Sequence, residues 1–468
     1  MRRIAAAVYY TVAPRGHKPL TTLGFPAITL PTVIARPDHP ISRASISRGA
    51  LKVLYTLKDA GFEAYLVGGG LRDLLLGHEP KDFDVATSAR PEEVQALFKR
   101  NCRLIGRRFV LAHVRMGPEI IEVATFRAAP RTPDDDAELD QGGRILRDNV
   151  YGTREDDAFR RDFTINALFY NIADYSIVDY VGGMADIRAG VLRLIGDAET
   201  RYREDPVRML RAVRFMAKLG FNIHPDTEAP LFRLGPLLAE VPPARLFDEI
   251  LKLLLSRYAL EAFEKLRHYG LFAQLFPLTE AALTQQLGDF PLTLLTRALR
   301  NTEQRIAEDK PVTPTFLFAA LLWEPVRLRM EGAIAAGQHP HAALAQAAQD
   351  VVEQQNAVIA LPKRFSVPMR EIWQQQLRFD NRRGRNPHRL MAHPRFRAAY
   401  DFLLLRAESG EADPALAQWW TEFQTATPEV RDRMTAQAPG GEPPQRRGRR
   451  RRRRRRGGGQ GATPNAPG

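Results

Sequence analysis

The feature that most constrains this chain is a short apolar run, Ala64-Tyr65-Leu66-Val67, that ends in Gly68-Gly69-Gly70-Leu71-Arg72-Asp73. Such a run predicts a buried strand. Three consecutive glycines predict a tight turn whose backbone N–H groups can approach a ligand that a Cβ would repel. Arg72 adds a planar cationic fork suited to phosphate. No Lys-Ser/Thr follows the glycines, which excludes a P-loop, and their contiguity excludes the spaced dinucleotide fingerprint. Nine residues beyond Asp73 comes Asp82-Phe83-Asp84. On a strand, residues two apart share a face, so both carboxylates point one way and Phe83 points into the core. Two hard oxygen ligands on one face suit Mg²⁺, which keeps several waters and takes few carboxylates plus substrate phosphates. A glycine triplet alone reads as a plain turn, and Asp-x-Asp alone as a solvated one. Together they predict a phosphate cradle beside a metal platform.

The surroundings support a fold of mixed class. Leu51, Leu54 and Leu57 recur at helical spacing up to Gly61, and Pro91-Glu92-Glu93 opens a helix through Arg100. Strand-like runs follow over 109–116 and 120–126, joined at Gly117-Pro118. The second contains Glu122, on a strand that can lie beside that of Asp82. An acidic, helix-poor loop (Asp134, Asp135, Asp136, Glu138, Asp140) comes next. From Ala158 the pattern is mostly helical, with a strand-like interlude over 177–195. The expectation is an α+β protein: a small α/β head, then a long α-helical body. The corresponding boundaries are a leader at 1–45, a head at 46–185, a helical neck at 186–275, a body at 276–434 and a tail at 435–468.

Both ends read as disordered. Residues 1–45 hold prolines at 14, 19, 26, 31, 37 and 40 and no visible amphipathic targeting helix. The tail contains Arg446, Arg447, Arg449, Arg450, Arg451, Arg452, Arg453, Arg454, Arg455 and Arg456. These ten charges against the single Glu442 give residues 435–468 a net +9, so only +5 of the total +14 belongs to residues 1–434. The polyanion-seeking charge is thus concentrated in a segment with no large apolar residue to order it. A single cysteine, Cys102, excludes a disulfide framework and fits a reducing compartment. No apolar run reaches the roughly 18 residues of a membrane span. A cytoplasmic enzyme or an RNA-binding protein remains.

Two further strings carry charge in a pattern. Arg160-Arg161-Asp162-Phe163-Thr164-Ile165-Asn166 is expected to open a helix with Phe163, Ile165, Leu168 and Phe169 as apolar positions. Asp162 there could simply pair with an arginine or favour a helix N-terminus. Glu204-Asp205-Pro206-Val207-Arg208 is a helix start with Asp205 as N-cap, and Arg208, Arg211 and Arg214 share one face of the helix that follows.

Together these strings resemble the class II nucleotidyltransferases, the bacterial poly(A) polymerases and CCA-adding enzymes. The resemblance implies that Gly69, Gly70 and Arg72 serve the nucleotide and that Asp82 and Asp84 hold two Mg²⁺ ions. It further implies that Arg161 contacts the nucleotide and that Asp162 is a third active-site carboxylate, with Glu122 as rival. Asp205 and Arg208 would read a base edge, and Arg211 and Arg214 would face the triphosphate. The stretch Arg103-Leu104-Ile105-Gly106-Arg107-Arg108-Phe109-Val110-Leu111-Ala112-His113-Val114 resembles a block characteristic of the bacterial poly(A) polymerases, and no chemistry is assigned to His113. The acidic loop, Pro242-Pro243-Ala244-Arg245-Leu246-Phe247 and the basic tail resemble the same branch. The implied reaction is template-independent transfer of AMP from ATP to RNA 3′ ends with release of pyrophosphate, in mRNA processing and decay. Proteins of RNA decay or RNA chaperones are the implied further partners, and the tail arginines would tether RNA. The alternatives are a CCA-adding tRNA nucleotidyltransferase and, in another class, a catalytically inactive RNA-binding protein.

Overall fold

The computed structural model describes residues 30–106, 110–128, 150–285 and 292–438, and the backbone of 137–139 and 145–148. The leader before residue 30, Asp134–Asp136, Asp140, Arg107–Phe109 and the tail arginines Arg446–Arg456 lie outside the described residues. The chain divides into two compact units. One runs to Asp205 and takes in Phe221–Glu228; the other comprises Pro206–Gly220 and everything from Ala229.

The first unit is built on an eight-stranded sheet. Its elements in chain order are β1 (Thr32–Ile34), α1 (Arg48–Asp59), β2 (Ala64–Val67), α2 (Gly68–Leu75), β3 (Asp84–Thr87), α3 (Pro91–Phe98), β4 (Cys102–Ile105), β5 (Leu111–Met116) and β6 (Glu119–Thr125). There follow β7 (Ala137–Leu139) and β8 (Ile145–Asp148), which pair only with each other, then α4 (Arg154–Arg160), β9 (Leu168–Asn171), β10 (Ile177–Asp179) and α5 (Gly183–Ala189). β11 (Val191–Leu192), α6 (Ala198–Glu204) and, after the excursion into the second unit, β12 (Asn222–Ile223) and a four-residue helix, Pro225–Glu228, complete it. The sheet order is β1-β10-β9-β2-β3-β6-β5-β4. Only β3 and β6 run parallel; the other neighbours are antiparallel.

Every residue of β2 is buried, as expected of a central strand read from an unbroken apolar run. Tyr65, Val67, Ala86, Phe126, Ala158, Phe169 and Val178 form one core cluster on the sheet. Ser47 caps α1 by accepting the N–H of Ala50, and Val53, Leu54 and Leu57 bury its apolar stripe.

Two expectations fail here for visible reasons. Residues 30–45 are not part of an unfolded leader: the β-branched Thr32-Val33-Ile34 adds an edge strand opposite Ile177–Asp179, and His39 Nε2 lies 2.8 Å from the Tyr175 carbonyl oxygen. The Arg160–Asn166 string does not open a helix but follows one. α4 ends at Arg160, a 3₁₀ turn covers Thr164–Asn166, and β9 begins at Leu168. Residues 163–170 are buried without interruption, so their apolar spacing marks burial on all sides and not one helical face.

The second unit is helical, from α7 (Val207–Leu219) to Pro428–Gln437. Aromatic packing dominates its interior. Phe247 stacks on Phe318 at 5.7 Å between centroids, and Trp373 is wholly buried with its Nε1–H donated to the Ala319 carbonyl. A further cluster gathers Phe379, Leu390, Phe396, Tyr400, Trp420 and Phe423. Among the described residues, no helix is long and apolar enough to cross a membrane.

Candidate active site

β2 carries the chain into the glycine turn, and β3 brings the carboxylates back alongside it. Val67 is in register with Asp84 across β2 and β3, and Asp84 is in register with Glu122 across the parallel pair β3 and β6. Asp84 thus opens β3, Phe83 is buried, and Asp82 stands exposed just before the strand. Gly68 has φ +70°, and a Cβ there would lie 3.1 Å from Asp84 Oδ2. A Cβ on Gly70 would lie 2.7 Å from the Asp82 carbonyl oxygen, whereas one on Gly69 would clear Arg72 at 3.5 Å. Two of the three glycines are therefore required by the close approach of the aspartate segment. α2 starts at the same point without a side-chain cap, so its first-turn N–H groups and positive dipole end begin beside Asp84.

Burial pushes the Asp84 carboxyl up from 3.8 to about 6; the charges of Glu122 and Asp82 add to the rise, and Arg161 opposes it. A carboxylate held near like charges in a dry place is poised to accept a cation. Among the described residues, no three His, Cys, Asp or Glu side chains form a ready-made metal cage. Mg²⁺ takes one or two carboxylates and completes its shell with water and phosphate oxygens. Glu122 also faces β5, where His113 Nε2 is 3.3 Å from Glu122 Oε1.

The phosphate fork expected of Arg72 is turned inward. Arg72 is 2% exposed; its Nε and Nη2 donate to Asp73 Oδ1 at 2.9 and 2.6 Å, and its Nη1 donates to Asn166 Oδ1 at 2.7 Å. Arg161 donates twice to Asp157 Oδ2, at 3.0 and 2.8 Å, and sits 5.2 Å over the Phe169 ring. Asn166 joins these groups. Its Nδ2 donates to Asp162 Oδ1 at 3.2 Å, and its carbonyl accepts from Arg161 Nη1 at 3.2 Å. Asp162 Oδ1 also accepts the Phe163 N–H at 2.8 Å. Asp162 therefore pins the 3₁₀ turn, while its rival Glu122 lies in register with Asp84. Asp73, Asp157 and Asn166 carry no site role in the sequence reading. Their signal was adjacency: each lies inside, or within a helical turn of, a motif already singled out.

The third motif divides between the units. Asp205 closes α6 in the first, where its N–H donates to the Arg201 carbonyl at 3.3 Å; its backbone is extended and Pro206, which follows, is already helical at the start of α7. In the second unit Arg208 is buried and Arg211 and Arg214 are half-buried. Arg214 Nε pairs with the buried Glu249 at 2.7 Å, and Lys252 shares that carboxylate at 3.2 Å. Arg214, Lys218 and Lys252 line a cavity of about 170 Å³ together with Ser256 and Tyr258.

Comparison with known proteins points one way. Residues 64–193 match the family model "Poly A polymerase head domain", 220–283 "Probable RNA and SrmB- binding site of polymerase A", and 336–456 "Polymerase A arginine-rich C-terminus". Poly(A) polymerase I of Salmonella typhi is 52% identical over 410 residues, covering 86% of this chain and 88% of that protein. The CCA-adding enzyme of Geobacillus stearothermophilus is 39% identical over 227 residues, covering 48% of this chain and 54% of that one. Among solved structures, the Bacillus stearothermophilus CCA-adding enzyme in complex with CTP aligns with TM-score 0.52 and 27% identity, over 80% of this chain and 81% of that one.

Proposed function

Because the chain belongs to the poly(A) polymerase family, we propose that the carboxylates around the glycine turn are where it joins nucleotide to RNA. The protein is a nucleotidyltransferase of the poly(A) polymerase type: it transfers AMP from ATP to RNA 3′ ends without a template and releases pyrophosphate. Its likeness to poly(A) polymerases spans most of its length, whereas its likeness to CCA-adding enzymes spans about half, which favours the first reading over the second.

The observation that carries the site is the register of Asp84 with Glu122 beside a glycine-opened helix start, with Asp82 two residues away. We assign Asp82 and Asp84 to two Mg²⁺ ions. When bound, these ions lower the pKa of the attacking 3′-hydroxyl and neutralise charge on the departing pyrophosphate. The protein's own groups do the positioning. Burial keeps the Asp84 carboxylate dry, where its charge acts strongly. Phe83 anchors the aspartates to the core, and Gly68 and Gly70 let β3 lie against the turn. The α2 N–H groups offer donors to phosphate oxygens. Of the two candidates for third carboxylate, the register supports Glu122. Arg72 and Asp162, expected to touch substrate, are assigned to holding the turn and the second motif in place, and Arg161 to balancing Asp84. Asp205 with Arg208 remains the proposed base reader, and Arg211 with Arg214 the proposed triphosphate contact.

RNA is the macromolecular substrate. A protein partner at 220–283, where the matched model names one, and a cytoplasmic location consistent with the lone buried Cys102 complete the proposal. The test is direct. Purified protein with Mg²⁺ and an RNA primer is offered each nucleotide in turn; long tails made only with ATP are expected. Addition that stops after CCA would move the chain to the other branch.

A further inference from the structure

We infer that a folded corner of the second unit, around Arg382–Arg389, is an RNA-backbone site that extends the path of the arginine tail. The inference rests on RNA being the substrate and adds a location for it. Helix Lys363–Phe379 ends in a turn that leads into the short helix Asn386–Met391. Phe379 and Leu390, at either side of this turn, are buried in the aromatic cluster, and Trp420 Nε1 donates to the Phe379 carbonyl at 2.9 Å. The turn is thereby held rigid from beneath. Its charges point elsewhere: Arg383, Arg385 and Arg389 are exposed, and among the described residues none of the three makes an ion pair. Unpaired exposed guanidinium groups on a fixed frame are what phosphate binding needs.

Two observations point to nucleic acid over another polyanion. Trp419 is only partly buried, lies parallel to Phe423 at 4.9 Å and 11°, and has the Arg382 guanidinium 5.9 Å from its ring centre. Arg382 Nε is itself a buried donor without a hydrogen-bond partner among the described residues. With Phe423 stacked on Trp419, the group this corner leaves for a nucleic-acid ligand is the unpartnered Arg382 Nε, a donor for a phosphate oxygen. Second, Arg383 Nε donates to the carbonyl of Ala438 at 2.9 Å, tying the last described residue to this turn. Arg446 follows eight residues later. Eight residues span at most about 28 Å, so the tail arginines start within reach of the turn and one RNA strand can contact both.

The test uses fluorescence anisotropy of a labelled single-stranded RNA without ATP, over a range of salt. Four proteins are compared: the full chain, R385Q/R389Q, the chain lacking residues 440–468, and both changes combined. Removing two phosphate contacts should lower the slope of log affinity against log salt by about 1.4 and cost about tenfold in affinity. The loss should appear with and without the tail, with an unchanged melting temperature, and R385K/R389K should restore the slope. Unchanged affinity and slope in both backgrounds would overturn the inference and leave the surface to an acidic protein partner. Failure of the unmodified protein to add AMP to any RNA would sink the functional reading instead, independently of these binding differences.

Discussion

The arginines of the first unit and those near the end of the second are treated in opposite ways. Arg72 and Arg161 are packed against Asp73, Asp157 and Asn166, each with bonds of about 3 Å, in a region where Asp84 is itself largely desolvated. Arg383, Arg385 and Arg389 stand in solvent without a carboxylate partner among the described residues. The contrast separates two uses of charge. Groups paired during folding hold one geometry and are little affected by salt, as positioning at a reaction centre requires. Exposed cations act by releasing counterions from a polyanion, which yields grip without geometry and a steep dependence on salt.

That contrast can be broken at either end. The largest effect is expected at Asp84. Asp84→Asn should lower AMP incorporation by about 10³-fold or more while leaving RNA affinity intact; retained turnover would remove the site from this sheet. The same variant tests the pKa. The native carboxyl keeps its proton to about pH 6, whereas its ordinary value is 3.8, so the charged form weakens the fold above pH 6 and the penalty fades as the pH falls toward 4. The metal-free variant should therefore melt a few degrees above the parent at about pH 8, with no difference at about pH 3.5.

Next in size is Gly70→Ala. The added Cβ meets a backbone oxygen at 2.7 Å, so the aspartate segment must shift. A displacement of this kind should cost about 10²-fold in kcat with RNA affinity unchanged. Gly69→Ala has room and should cost far less. Smaller again is the difference between Glu122→Gln and Asp162→Asn. The first should reduce kcat about tenfold and raise the Mg²⁺ requirement, as loss of a nearby charge implies. The second should mainly lower the melting temperature, since it disturbs the bonds that pin the turn. The reverse pattern would restore Asp162 as the third carboxylate. The smallest effect on turnover is expected from deleting residues 440–468: RNA affinity and its salt dependence should fall, with kcat at saturating RNA unchanged.

Much of the head could be read from the chain because its signals are local. A strand of four apolar residues, a glycine turn and a buried Phe83 between two aspartates each announce themselves within a few positions. The placement of Glu122 is harder to read, since it depends on β6 running parallel to β3, a pairing between strands 38 residues apart. Arg72 shows a related ambiguity: a guanidinium suited to phosphate is equally suited to a neighbouring carboxylate and a distant amide, and its contact with Asn166 arises only in the tertiary fold. The helix expected from Arg160 onward failed because complete burial and one-sided burial look alike over eight residues. Adjacent Trp419 and Trp420 divide in the same fashion: the second is core, and the first is left partly at the surface.

The return of Phe221–Glu228 to the first unit has a consequence for how the protein is made. Thr227 accepts the Leu194 N–H on its hydroxyl at 3.1 Å and the Tyr202 hydroxyl on its carbonyl at 3.0 Å, and His224 bonds back to Leu192 at 2.9 Å. A nascent chain that has emerged from the ribosome only as far as residue 193, where the head-domain match stops, lacks all three partners. Completion of the first unit must wait until α7, which belongs to its neighbour, has also been synthesised. An expression fragment cut at 205, which keeps Leu192, Leu194 and Tyr202, is therefore expected to be soluble only if residues 221–228 are supplied, in cis or as a separate peptide.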